Sequence, residues 1–242
     1  MSTGTPRPTI GAVVLTMNDR PAEFTAAMRS LLAQRGVDLD VVVVGNGCVP
    51  DQVPGGVRTV ELPRNLGIPE GRNVGAANVE GDLIFFFDDD AVLPDPDALL
   101  RLATELTSDP RRAFVQPRIA DPVTGRTLRR WVPRLRVSHP GRAGTVTVMA
   151  EGVVMVRREA FEAVGGWPGH FFLFHEGSTW PGGCGTAGSS ATTRPTSSSI
   201  TPPPTRPATR TSTGSTPATG SGWPCVTCPP RWSRSTWPPG PW

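Results

Sequence analysis

Apolar runs too short for helices alternate with stretches of helical periodicity, and that alternation limits the folds open to this chain more than any other feature. The runs lie in "TIGAVVLTMNDR", ending near Thr16, in "DLDVVVVGNG", in the shorter "VRTVEL", and in "DLIFFFDDDA". Each reads as a strand, and most are apolar enough to be buried on both faces. After the first, Asp19 and Pro21 mark a helix start, and Phe24, Met28, Leu31 and Leu32 recur at helical spacing. "LGIPEGRNVGAANVEG" gives Gly and Pro and then a small-residue helix. Residues 95–106 predict another helix through Leu99, Leu100, Leu102 and Leu106. "AFVQPRI" predicts a further strand, and the basic, Trp-bearing stretch 126–136 a surface loop or flap. "GTVTVMAEGVVMVRREAFEAVGGW" predicts a strand with Glu151 and Gly152 inside it, a helix over 158–164 and a Gly165-Gly166 stop. Strands alternating with helices predict an α/β fold, a Rossmann-like, mostly parallel sheet flanked by helices.

The alternation stops near residue 177. From there to Trp242 the chain holds no Asp, Glu, Leu, Phe or Met, and 13 of its 28 prolines. Residues 1–177 carry 19 Arg and all 21 acidic residues, net −2, whereas 178–242 carry 5 Arg and no acid, net +5. The basic pI therefore comes from the tail and is no nucleic-acid footprint, which needs basic residues clustered on a folded face. A segment this poor in large apolar residues cannot bury a core, so 178–242 is expected to be a disordered Pro/Thr/Ser/Gly-rich tail behind a folded part, 1–177. Cys225 and Cys228 have the spacing of half a zinc site, but no second pair or flanking His follows. No apolar stretch approaches a membrane span, and the N-terminus lacks a charged-then-apolar leader pattern. The expected location is cytoplasmic, with the inner face of a membrane as the alternative.

In open parallel sheets ligands bind at the carboxyl ends of the strands. All the polar clusters fall at such ends: 16–20, Asn46, 65–73 and 88–90. On an extended strand Asp88 and Asp90 face one ligand while Asp89 faces elsewhere. Three adjacent carboxylates repel unless a cation sits among them, and a hard divalent ion, Mg²⁺ or Mn²⁺, suits oxygen ligands. A solvated acidic turn is the plain alternative. So is a simple turn at Asn46-Gly47, a pairing of Arg72 with Glu70, a strand-edge ion pair at Glu151 and a surface acid at Glu176.

These pieces, in this order, resemble the family 2 nucleotide-sugar-dependent glycosyltransferases of GT-A fold. The matching stretches are "VVLTMNDR", "VVVVGNG", "NLGIPEGRNVGA", "FFFDDDA" in place of the DxD motif, and "EGVVMVRREAFEAVGGWPGHFFLFHE", together covering residues 9–176. The resemblance implies an inverting transfer of sugar from a nucleoside-diphosphate sugar to an acceptor hydroxyl of a carbohydrate or lipid-linked acceptor. It places Thr16, Asn18, Arg20, Asn46, Asn65, Arg72, Asn73, Asp88 and Asp89 at the nucleotide-sugar, with Asp88 on the nucleoside. It puts Asp90 on a divalent metal (Mg²⁺ or Mn²⁺), Glu151 and Gly152 on the acceptor side, and Glu176 as the catalytic acid-base group. One position departs: the family commonly has Asp before the Asn-Gly that ends the second strand, and here it is Gly45.

In the family the acid at Glu176 opens a pattern E-x-x-D-L-x-x-R, where this chain has "EGSTWPGG". Codons for the tail, read one base earlier, permit "EGIDLAWRLWD", which restores that pattern. The tail thus reads as out-of-frame translation, and the GT-A domain 1–177 as incomplete at its C-terminus. The competing readings are a nucleotide-sugar-binding remnant without catalysis, and a surface protein with a mucin-like tail.

Overall fold

The computed structural model describes residues 6–121, 124–127, 144, 145, 149, 152–172 and 190–194, all within one compact unit, Met1–Thr205. Its elements run β1 (Thr9–Thr16), α1 (Pro21–Leu32), β2 (Asp38–Asn46), β3 (Arg58–Leu62), α2 (Ile68–Ala77), β4 (Leu83–Asp88), α3 (Ala98–Thr107), β5 (Arg112–Pro117), β6 (Gly144–Thr145), β7 (Val153–Arg157), α4 (Arg158–Ala163) and β8 (Ser190–Arg194). They form one sheet in the order β3-β2-β1-β4-β7-β5-β8-β6. The first four strands are parallel, β1 pairing with both β2 and β4. β7 lies antiparallel between β4 and β5. The chain steps outward from β1 to β3, then returns through α2 to β4 on β1's other side. That reversal makes a switch point at the carboxyl ends of β1 and β4.

Side-chain alternation along the strands builds a core on each face. Ile10, Ala12, Val14, Val43, Phe85 and Phe87 pack against Phe24, Met28 and Leu31 of α1 and Leu99, Leu102 and Leu106 of α3. Val13, Val42, Val44, Ile84 and Phe86 face α2, Phe161 and Trp167. There Phe86, Phe161 and Trp167 form an aromatic cluster with ring centroids 5.2–6.0 Å apart. Arg158 ties α4 to the end of α2, donating to the carbonyls of Val79 (2.8 Å) and Gly81 (2.5 Å). Cations suit that carbonyl-rich end of a helix.

Two expectations change. The strand expected to contain Glu151 and Gly152 is broken: β6 is a separate short strand and β7 starts at Val153, after a turn at Gly152. The third helix starts at Ala98 rather than 95, because Asp95 first turns the chain, accepting a bond from Asp97 N at 3.1 Å and a guanidinium pair from Arg101 at 2.6 Å. Further along the chain, Ser190–Arg194 pairs in parallel with β5 and antiparallel with β6. Backbone pairing at an open strand edge needs no particular side chains, so composition gives no warning of it. Among the described residues no helix is long and apolar enough to cross a membrane.

Candidate active site

A cavity of about 360 Å³ opens at the switch point. Its walls come from the end of β1 (Leu15, Thr16, Met17), the turn before α1 (Asp19, Arg20), the end of β2 (Asn46), the lead-in to α2 (Asn65, Gly67, Ile68, Arg72), the end of β4 (Asp88, Asp89, Asp90) and Phe172. Backbone pairing fixes this convergence: Leu15 stands beside Asp88 and Thr16 beside Gly45 in the parallel ladders.

All three carboxylates line the cavity, which corrects the expected split of Asp88 and Asp90 from Asp89. β4 ends at Asp88 and the chain turns at once, with Ala91 N donating back to Asp88 O at 3.2 Å, so strand alternation stops before Asp89. Asp89 is instead the most buried of the three, 6% exposed. It takes a hydrogen bond from the Thr16 hydroxyl, and Arg20 lies 3.8 Å away. Burial dominates and pushes its carboxyl up to about 6, aided by Asp88 and Asp90 and opposed by Thr16 and Arg20. Burial also raises Asp90, again with Asp88 adding and Arg20 opposing.

Two guanidinium groups face these acids. Arg20 pairs with Asp90 and also stands 3.6 Å from Asp19. Burial works against its charge, but the four surrounding aspartates outweigh burial and raise its pKa. Arg72 pairs with Asp88 at 2.8 Å, not with Glu70, because its place on α2 turns it toward the end of β4. Its side chain is 6% exposed, whereas that of Arg20 is 45% exposed.

Of the other candidates, Asn46 and Asn65 line the cavity but act on each other and on the loop. Asn46 Nδ2 donates to Asn65 Oδ1 at 2.9 Å, Leu66 N donates to Asn46 Oδ1 at 2.9 Å, and Gly67 N donates to Asn65 Oδ1 at 2.8 Å. Asn18 and Asn73 stand outside the cavity wall. Asn18, at φ 61°, bonds Val49 O (2.7 Å) and receives Asp51 N (3.1 Å). Asn73 bonds Trp167 O (2.9 Å) and receives Trp167 N (2.8 Å). Both amides hold loops. Gly152 abuts the site: its carbonyl accepts from Asp88 N at 2.7 Å, and a Cβ there would strike the Asp88 carboxylate. At Gly45 a Cβ would meet the Cys48 carbonyl, so the loop after β2 fills the place of the acidic side chain common in the resembled family. Glu151 and Glu176 lie outside the described residues.

The sequence did not single out Met17 as a wall residue and marked Phe172 only as part of an apolar run expected to dry the site; the two are 53% and 58% exposed and form an apolar lip. That run is the apolar stretch of residues 171–174. The place of Phe172 follows from Ile68 N donating to Phe172 O at 3.0 Å.

The donor chemistry fits a hard divalent cation: carboxylates crowded on consecutive residues, two of them pushed up by burial, in a cleft with room left over. Among the described residues no group of three His, Cys, Asp or Glu side chains is arranged to hold a metal ion. An ion would rest on one or two carboxylates and fill its shell with other oxygens, as Mg²⁺ commonly does.

Comparison with known proteins agrees with this layout. Residues 12–165 match the family model "Glycosyl transferase family 2". No curated protein sequence matches the chain. Among solved structures, GalNAc-T7 with UDP, GalNAc and Mn²⁺ superposes with a TM-score of 0.65 at 13% identity, covering 81% of this chain and 44% of that one. The mannosyltransferase PcManGT from Pyrobaculum calidifontis, in complex with GDP-Man and Mn²⁺, gives 0.63 at 20% identity, covering 85% and 59%. S. aureus TarS gives 0.56 at 17% identity, covering 78% and 37%. The shared architecture is the GT-A fold, and the chain spans about half the length of the first two of these neighbours.

Proposed function

The chain belongs to glycosyl transferase family 2, and from that premise we propose that its cavity takes a nucleoside-diphosphate sugar and passes the sugar to an acceptor hydroxyl with inversion. The observation that carries this reading is the meeting of three carboxylates with two guanidinium groups, Arg20 and Arg72, at the sheet's switch point. Guanidinium forks match phosphate oxygens, and carboxylates match sugar hydroxyls and a cation. The UDP and GDP-Man bound in the two structural neighbours support it.

Asp88 receives the nucleoside hydroxyls, and Asp90 would hold a divalent cation with Asp88 beside it. When bound, that cation neutralises charge developing on the departing diphosphate. Arg72, fixed by Asp88, steadies the same charge. The acceptor oxygen bonds to the anomeric carbon from the face opposite the diphosphate, and the bond from that carbon to the diphosphate oxygen breaks with its electron pair leaving on the diphosphate. The hydroxyl proton passes to Glu176. That residue follows Phe172 by four positions, so covalent reach keeps it within about 14 Å of the cavity's lip. Glu151 and Gly152 stand on the acceptor side, and the acceptor is a carbohydrate or lipid-linked hydroxyl.

A second reading, a nucleotide-sugar-binding remnant without catalysis, is favoured by the compositional break after Gly177. One experiment separates the two: assay the full chain as given, and the chain with its tail read in the restored frame, against UDP- and GDP-sugars. The restored chain is expected to transfer sugar with inverted anomeric configuration, and Asp90→Asn to cost about a thousandfold. Undiminished transfer in a D88N/D90N variant contradicts the assignment. Nucleotide binding without transfer in both chains selects the remnant.

A further inference from the structure

Arg20 faces three carboxylates, those of Asp19, Asp89 and Asp90, and is the more exposed of the two arginines at the site. Its guanidinium pairs with Asp90, lies 3.8 Å from Asp89 and reaches Asp19 at 3.6 Å. Its backbone sits at the cap position just before Pro21, so the side chain hangs from the turn and not from a helix face. Arg72 differs: it is buried and held against Asp88 from within α2. We propose that Arg20 is the site's internal counter-ion, a guanidinium that holds Asp90 in the free protein and leaves it when a divalent cation enters, then turning to the diphosphate that arrives with the ion.

This inference rests on the proposed donor site and assigns its order of assembly. Two cations cannot share one half-buried carboxylate without repelling each other, so Arg20 and a metal ion compete for Asp90. Once displaced, the guanidinium remains at the cavity wall, where its planar fork suits a diphosphate bidentately. Metal alone then binds weakly because it must break the ion pair, and nucleotide alone binds weakly because Arg20 is engaged. Together each removes the other's obstacle, so the two bind with positive coupling, equal in both directions. The acidic strand end stays neutralised while empty, which offsets the repulsion among three adjacent carboxylates.

The test is Mn²⁺ titration followed by electron paramagnetic resonance on the full chain without nucleotide, comparing wild type with Arg20→Gln, Arg20→Lys and Asp90→Asn. R20Q should bind Mn²⁺ about fivefold tighter than wild type, the effect of releasing one partly exposed ion pair. R20K, which keeps the charge, should stay within about twofold of wild type. Equal or weaker Mn²⁺ binding by R20Q, with D90N abolishing it in both backgrounds, overturns the inference and leaves the metal site standing. Absence of Mn²⁺ binding in every variant overturns both. Nitrogen-15 NMR of arginine Nε on wild type gives an answer independent of R20Q folding: saturating Mg²⁺ should move the Arg20 signal and leave that of Arg72 in place. An unmoved Arg20 signal sinks the proposal.

Discussion

Asp89 is the residue at which burial and charge conflict most directly. Its folded-state pKa of about 6 lies above the unfolded value of roughly 3.9. Between those values the folded protein keeps a proton that the unfolded chain has released. Asp89 therefore favours folding near pH 4, and that contribution is lost as pH rises to 6, levelling off above it. The full loss amounts to about 3 kcal/mol in metal-free protein, of which about 2 kcal/mol falls between pH 4.5 and 7.5. Urea unfolding in EDTA at pH 4.5 and 7.5 checks this: Asp89→Asn should remove that part of the slope and be the more stable protein at pH 7.5. A D89N slope identical to wild type would place the conflict elsewhere. The same carboxylate marks a limit of sequence reading, since alternation assigns faces only while a strand continues and β4 ends one residue too early. The amides show another limit. Asn18, Asn46 and Asn73 are chemically alike, and only the fold tells that Asn18 and Asn73 tie loops outside the cavity while Asn46 ties one from its wall.

At the scale of elements, α2 links the two halves of the cavity wall. Asn73 grips both backbone polar groups of Trp167, and Ile68 N grips Phe172 O, so the segment after α4 is pinned to the start of α2. Asn73→Ala removes two hydrogen bonds to the backbone of the buried Trp167, at a cost of about 2 kcal/mol in urea unfolding. Nucleotide affinity should weaken along with it because the Phe172 lip is held by this pinning; unchanged stability would show the segment is held otherwise. The strands β1, β2 and β4 were legible because their apolar runs are buried on both faces, and the cavity was legible because polar residues follow each run. The break between β6 and β7 was not, because Gly152 is shaped by its contact with Asp88, a residue 64 positions away in sequence that no local pattern names.

For the whole molecule, the family match ends at residue 165 and the last wall residue among the described residues is Phe172, so the described cavity wall precedes the compositional break. The out-of-frame reading of 178–242 predicts that the chain with the restored frame melts cooperatively and is more soluble than the chain as given, by thermal unfolding and ultracentrifugation. A monodisperse, cooperatively melting chain as given would count against it. The central claim, that Asp88 to Asp90 with their arginines form a nucleotide-sugar site, needs no tail to be tested. Its most direct measurement is the melting temperature of the full chain with UDP or GDP, with and without Mn²⁺. A rise of several degrees only when Mn²⁺ and one of the nucleotides are both present, abolished in D88N/D90N, is the predicted result. No rise with either nucleotide, or an equal rise in the double variant, would contradict it.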